Sequence, residues 1–320
     1  MKRVLITGIT GFVGSHLAEY LLDQEGVEVY GLKRWRSSLR NIEHLIERLK
    51  LIDGDLRDFK SMIKVIDTVR PDIIHHLAAQ SYVLTSYDAP IDTIETNVCG
   101  TINLLEAVRQ AGIDPVIHIC SSSEVYGQVD PKYVPIKEDT PFRPASPYAV
   151  SKVGEDMVGY FYYTAYKLKT IRSRMFTHTG PRRGEVFVES SFAKQIAEIE
   201  KGLREPVLYV GNLNSIRTFL DVRDAVRAYW LLVNKCSPGE VYNIGGNETM
   251  SIGEMLDLLL SMSPSKSKIK VQVDPARLRP ADVTLQIPDC SKFKEATGWE
   301  PQIPIRQTLQ DLLNYWRANV

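Results

Sequence analysis

Three glycines spaced three apart, Gly8, Gly11 and Gly14, join the short apolar run Val4-Leu5-Ile6 to an amphipathic helical pattern beginning near Ser15. That junction demands a tight turn, a backbone that lets a ligand approach closely, and close packing of helix on strand. The N-terminus of the helix then supplies free N–H donors and partial positive charge, a natural seat for a pyrophosphate. The alternation continues along the first half. Strand-length runs fall at Arg3–Thr7, Val27–Lys33, Lys50–Asp53, Ile73–Leu77, Pro115–Cys120 and Thr170–Arg174. Helical patterns lie between them at Ser15–Gln24, Phe59–Val69, Thr93–Ala111 and Tyr148–Tyr166. Such alternation predicts βαβ units with right-handed crossovers, hence an α/β fold with a doubly wound parallel sheet of Rossmann type. A ligand crevice is expected at the strand C-termini.

The second half is less regular. Short strands are expected at Leu208–Val210, Val241–Ile244 and Ile269–Val273, and helices at Phe192–Lys201, Arg223–Leu232, Ile252–Ser261 and Ile305–Arg317. This mixture predicts a smaller α+β lobe. Residues 1–174 are assigned to the dinucleotide-binding domain, with segments around 214–244 expected to return to it. Residues 175–320 are assigned to a discontinuous second lobe.

Lys+Arg and Asp+Glu both number 39. A neutral balance gives no reason to expect nucleic acid or membrane surfaces as partners. No run reaches the ~18 apolar residues of a membrane span, and the N-terminus enters a strand without a signal-like segment, so a cytoplasmic location is expected. Cys99, Cys120, Cys236 and Cys290 are scattered, which points to free thiols. The adjacent His75 and His76 would point to opposite faces of a strand, and no metal site is expected.

The end of the second strand bears on which nicotinamide cofactor fits. An acidic residue there would bind a ribose 2′-hydroxyl. This chain instead has Lys33-Arg34-Trp35-Arg36-Ser37-Ser38, three cations and two hydroxyls. That chemistry suits a 2′-phosphate, so NADP is expected over NAD. Asp55-Leu56, after the next strand, is expected near the adenine.

Tyr148 and Lys152 are four apart and share a helical face. An ammonium beside a phenol favours the phenolate, so Tyr148 is expected to be acidified. The preceding Ser146-Pro147 marks a helix start. Ser122 follows an apolar strand and can hydrogen-bond a reacting oxygen. Glu124 adds a carboxylate that a simple dehydrogenase does not need. Tyr126 is read as packing.

With these residues in place, the chain resembles the extended short-chain dehydrogenase/reductase family. More narrowly, it resembles the GDP-mannose 4,6-dehydratases and the related GDP-4-keto-6-deoxymannose reductases. The segments that carry the resemblance are 31–38, Ala78-Ala79-Gln80-Ser81-Tyr82-Val83, Ser122-Ser123-Glu124, Pro181-Arg182-Arg183-Gly184-Glu185-Val186-Phe187-Val188, Val210-Gly211-Asn212-Leu213 and Leu278-Arg279-Pro280-Ala281-Asp282-Val283. The resemblance implies that Ser122, Glu124, Tyr148 and Lys152 are catalytic. It implies that NADP is held by Gly8, Gly11, Phe12, Val13, Arg34, Arg36, Ser37, Asp55, Leu56, Leu77, Ala78 and Ala79, together with Tyr148 and Lys152. It implies that a nucleotide-sugar, GDP-mannose, meets Gln80, Ser81, Ser123, Thr177, Val188, Lys194 and Asn212, with Arg217 and Arg279 on its diphosphate. Asn97 resembles a position beside the strand ends on the nicotinamide side. A homodimer or homotetramer is implied as well. Ser122 stands where the dehydratases have threonine, and Thr177-His178 where they have Asn-His. Other segments are closer to the reductases, so 4,6-dehydration, 4-keto reduction and another nucleotide-sugar epimerase or dehydratase activity all remain open.

Overall fold

The computed structural model describes residues 1–320. Its elements in chain order begin with β1 (Lys2–Thr7), α1 (Phe12–Leu22), β2 (Val27–Lys33), β3 (Lys50–Asp53), α2 (Phe59–Val69) and β4 (Ile73–His76). There follow α3 (Val83–Asp88), α4 (Pro90–Ile94), α5 (Gly100–Gln110), β5 (Val116–Ser122), α6 (Pro147–Tyr166), β6 (Lys169–Met175) and β7 (His178–Thr179). The second half holds α7 (Val188–Glu200), β8 (Val207–Val210), β9 (Ile216–Asp221), α8 (Val222–Lys235), β10 (Val241–Ile244), β11 (Glu248–Ser251) and α9 (Ile252–Ser261). It ends with β12 (Lys270–Val273), β13 (Leu285–Gln286), α10 (Ser291–Thr297) and α11 (Ile305–Asn319).

The main sheet is parallel and has seven strands in the order β10-β6-β5-β4-β1-β2-β3. The alternation of β1 shows why both faces are covered. Val4 and Ile6 pack with Leu17, Leu21 and Val226 of α1 and α8, while Leu5 packs with Val65, Leu104 and Val108 of α2 and α5. The doubly wound expectation is met. The strand expected at Val241–Ile244 is the seventh strand of this sheet, paired with β6 in register Val241 to Arg172.

The helices start where the sequence provides caps. Asp58 accepts from the Ser61 N–H at 2.6 Å, and Ser146 accepts from the Ala149 N–H at 3.0 Å ahead of Pro147. Helix α9 opens with a full capping box between Ser251 and Glu254. The helix expected over Thr93–Ala111 is interrupted. Residues Glu95–Cys99 form a π-helical turn that runs directly into α5. The wider turn holds Asn97 inward, where its amide bonds both backbone groups of Gln80 and the Ser151 hydroxyl. Such turns concentrate at functional sites, and apolar periodicity alone does not mark them.

The smaller lobe has a sheet in which β9 pairs antiparallel with β11 and parallel with β13 and β7, and a parallel pair β12-β8. The core of this lobe joins Phe192 and Ile196 of α7, Leu256 and Leu259 of α9, and Leu309, Leu312 and Trp316 of α11. Helix α8 and strand β10, between β9 and β11, lie in the main sheet's layers. No helix is long and apolar enough to cross a membrane.

One buried ion cluster joins α6 to β6. Asp156, fully buried, accepts from Arg172 at 2.9 Å and Arg174 at 2.8 Å, and both arginines are themselves buried. Arg172 also reaches the Gly239 carbonyl, while Arg174 reaches the Glu138 carbonyl and the Tyr126 hydroxyl. Removing one partner of such a cluster strands buried charge. Asp156→Ala is therefore expected to cost about 3–5 kcal/mol of stability, read from urea unfolding; a loss under about 1 kcal/mol would show that the cluster is not needed.

Candidate active site

Two cavities open at the C-terminal ends of the main sheet's strands. The first, about 430 Å³, is lined by Gly8, Gly11, Arg34, Arg36, Ser37, Asp55, Leu56, Leu77, Ala78, Ala79 and Gln80. Gly8 has φ +74°, and a Cβ there would stand 2.9 Å from the Ala78 backbone. A Cβ on Gly14 would stand 2.2 Å from the Gly8 carbonyl oxygen. Helix α1 begins after Gly11 with no side-chain cap and no acid in its first turn, so its leading N–H groups are free for an anion. The turn therefore fits a pyrophosphate. At the far end Lys33 is paired with Asp53, and Arg57 with Asp92 at 2.9 Å. Arg34 and Arg36 are exposed and form no ion pair. Two of the three expected cations thus remain for a ligand.

The second cavity, about 280 Å³, lies between the main sheet and the smaller lobe. It brings together Ser122, Ser123, Glu124, Tyr148, Thr177, Val188, Asn212, Arg217 and Arg279. Strand β5 delivers Ser122 to the rim, where its hydroxyl accepts from the Glu124 N–H at 3.2 Å. That cap starts the single turn Ser123–Tyr126 carrying Glu124. The N-terminus of α6 brings Tyr148 to the same cavity, its N–H bonded to the Ser86 hydroxyl. Arg279 approaches Glu124 at 3.8 Å. Arg217 is fixed by the carbonyls of Ile216 and Val283. Asn212 is held by Asp282 at 2.6 Å. Tyr126 lies in the core with its hydroxyl on Asn243, consistent with packing.

Several residues are placed elsewhere. Lys194 is tied to Glu185 and Glu198 in a separate cleft of about 660 Å³ beside Tyr315 and Trp316. Ser81 is exposed and lines neither cavity. Gln80 is on the cofactor side, its amide spent on Tyr82 and Thr93. Val13 packs into the core, and Phe12 stacks on His178 with ring centroids 5.9 Å apart. Lys152 lines no cavity. It is buried behind Tyr148, with Nζ donating to the Cys120 carbonyl at 2.9 Å and standing 2.7 Å from Glu155.

The expected acidification of Tyr148 is not what this environment produces. Burial raises the phenol above its ordinary range and outweighs the lowering by Lys152, and Glu155 adds to the rise.

The pair Arg182-Arg183 was legible, but the division of labour within it was not. Arg182, at φ +70°, turns back to His16, Glu19 and the Asn41 carbonyl. Arg183 turns the other way. Its guanidinium lies 3.7 Å over the Phe187 ring and 5.1 Å from Phe12, and its Nε is buried with no hydrogen-bond partner. It borders the catalytic cavity without an ion pair, its charge offset only in part by the buried Glu189. Burial lowers its affinity for its proton, so an anion beside it would be stabilised.

Comparisons with known proteins agree with this architecture. The profile of the family described as GDP-mannose 4,6 dehydratase matches residues 5–312. The chain is 34% identical to GDP-mannose 4,6-dehydratase of Yersinia enterocolitica, over 98% of this chain and 93% of the relative. It is 33% identical to GDP-6-deoxy-D-mannose reductase of Pseudomonas aeruginosa, over 100% and 98%. The RMD structure from P. aeruginosa, complexed with NADPH, superposes with a TM-score of 0.85 at 30% identity, covering 100% of both chains. By sequence and by fold, the chain belongs to the GDP-mannose 4,6-dehydratase family.

Proposed function

We propose that this protein is a nucleotide-sugar 4,6-dehydratase that converts GDP-mannose to GDP-4-keto-6-deoxymannose and uses NADP as a recycled cofactor. The observation that carries this reading is the presence of Tyr148 and Glu124 in one cavity. Oxidising an alcohol requires one proton acceptor. Eliminating water across the two neighbouring carbons requires a second group.

The glycine turn at Gly8 and Gly11, with Arg34, Arg36 and Ser37, would hold the nicotinamide cofactor, which would supply a reversible hydride acceptor for C4 and donor for C6 with no net redox change. The protein's residues handle the protons. Tyr148 accepts the proton of the C4 hydroxyl, and Ser122 hydrogen-bonds the same oxygen. The resulting ketone acidifies C5–H, because the carbanion is delocalised into the carbonyl. Glu124 takes that proton and passes it to the C6 hydroxyl, which departs as water, and C5 regains a proton, equivalent to the one Tyr148 removed, when hydride reaches C6. Arg217 and Arg279, on the smaller-lobe wall, are suited to diphosphate oxygens. Arg183 offers a further cation between the glycine turn and the catalytic cavity. The unpaired Arg34 and Arg36, with Ser37, favour NADP's 2′-phosphate.

The 33% identity to a reductase of matching length supports a second reading, NADPH-dependent reduction of the 4-keto-6-deoxy sugar. The two differ in stoichiometry, since only the reductase consumes NADPH.

An oligomer belongs to the same proposal. Val150, Met157 and Phe161 form an exposed apolar stripe on α6, with Phe161 at 51% exposure, and a second copy of this chain would cover it.

Incubated with GDP-mannose and no added NADPH, the enzyme is expected to release a 4-keto product. Glu124→Gln should retain C4 oxidation, seen as a single turnover of NADPH absorbance, yet lose water release by about 10²-fold or more; ordinary water release in that variant would remove Glu124 from the mechanism. Arg34→Ala with Arg36→Ala should weaken NADPH binding by roughly 10–100-fold and change NADH binding little, measured by fluorescence titration. Phe161→Glu should yield a smaller species in sedimentation velocity, and an unchanged oligomer would exclude this face.

A further inference from the structure

Helix α6 carries two adjacent carboxylates that are both buried, and they are solved differently. Asp156 has two guanidinium partners and belongs to the scaffold. Glu155, 1% exposed, has no arginine. Its only ion-pair partner is the ammonium of Lys152, 2.7 Å away and one turn earlier on the same helix. Lys152 is in turn behind Tyr148, with Nζ 5.9 Å from the phenol ring's centroid. The carboxylate is thus placed to balance the ammonium that stands behind Tyr148, the cation on that side of the phenol.

We propose that Glu155 is a positioning residue: its carboxylate anchors and neutralises the Lys152 ammonium, so that Tyr148 keeps its proton until a ligand supplies additional positive charge. Because Glu155 acts through Lys152, it sets the pH at which Tyr148 becomes a base. This role rests on the assignment of Tyr148 as the proton acceptor made above.

The surroundings are consistent with a charge-balancing role. Around Lys152 stand Cys120 and His118 of β5 and His76 of β4, and burial holds both imidazoles in the neutral form and the thiol protonated. Glu155 faces Thr101 of α5 and has Asp156 beside it. Tyr148 faces Ser122 of β5, Arg183 of the loop after β7, and Tyr229 of α8, and shares its cavity with Glu124. Within this set Glu155 is the acid in contact with Lys152. Burial raises Glu155 above the ordinary carboxylate range, and Lys152 pulls it back. Removing the negative charge leaves the ammonium's pull on the phenol unopposed, which lowers the pH at which Tyr148 ionises.

The test is a tyrosinate absorbance titration of ligand-free protein, with Tyr148→Phe as the subtracted reference. In the wild type Tyr148 should ionise at about pH 10 or above, in spite of the neighbouring lysine. Glu155→Gln should lower that by about one pH unit, and Glu155→Asp should stay near the wild type. The acid limb of kcat/KM with GDP-mannose should move down with Glu155→Gln by the same amount. A wild-type Tyr148 that ionises near pH 8 or below overturns the proposal, as does unchanged ionisation in the Glu155→Gln protein, or in Glu155→Ala where Glu155→Gln does not fold. If no sugar is turned over while Tyr148 titrates as expected, the functional reading fails and the role of Glu155 stands.

Discussion

The placement of Tyr148 and Glu124 in one cavity depends on a charge cluster neither residue touches. Asp156 clamps α6, which carries Tyr148, to β6 through Arg172 and Arg174. Arg174 continues from there to the Glu138 carbonyl and to Tyr126, the last residue of the turn that carries Glu124. One fully buried carboxylate therefore references both Tyr148 and Glu124 to a single strand. A cluster of this kind contributes little to stability compared with an apolar replacement, but it admits few alternative arrangements. Positional definition of that order is what proton transfer within hydrogen-bonding reach requires.

The electrostatics divide along the same line. Anion-binding capacity is left unspent where ligands would enter: the uncapped start of α1, Arg34 and Arg36 at the end of β2, and Arg183 between the two cavities. Arg172, Arg174 and Lys152, buried in the scaffold, are matched by acids, whereas the buried Arg217 of the catalytic cavity bonds only carbonyls. Arg183 stands out because its stabilisation comes from aromatic faces, which leave its hydrogen-bond donors free.

The glycine turn, the parallel sheet and the chemistry at the strand ends were legible because each depends on local pattern. Spacing of Gly8, Gly11 and Gly14 implies a backbone geometry, and apolar runs of strand length imply buried parallel strands. The π-helical turn at Glu95–Cys99 was not legible, since one extra residue in a turn leaves apolar periodicity nearly intact. Strands β9 and β11 were missed because Thr218, Thr249 and the flanking charges do not form an apolar run; their pairing is tertiary. Lys194 shows the limit on the site: a family-derived position gave a residue type, yet Glu185 and Glu198 hold the side chain in a different cleft. For Tyr148 the neighbouring lysine was evident four residues away. The opposing Glu155 was in plain view as well, but only burial reveals that the two charges are to be counted together.

The order of strands in the two sheets also governs how this molecule can come apart. The ladder between β9 and β11 closes a loop of chain whose middle, α8 and β10, is built into the other sheet. Neither lobe can be excised as a continuous piece of polypeptide without taking an edge strand from its neighbour. Melting should therefore be a single cooperative event, and wide hinged opening between the lobes is disfavoured.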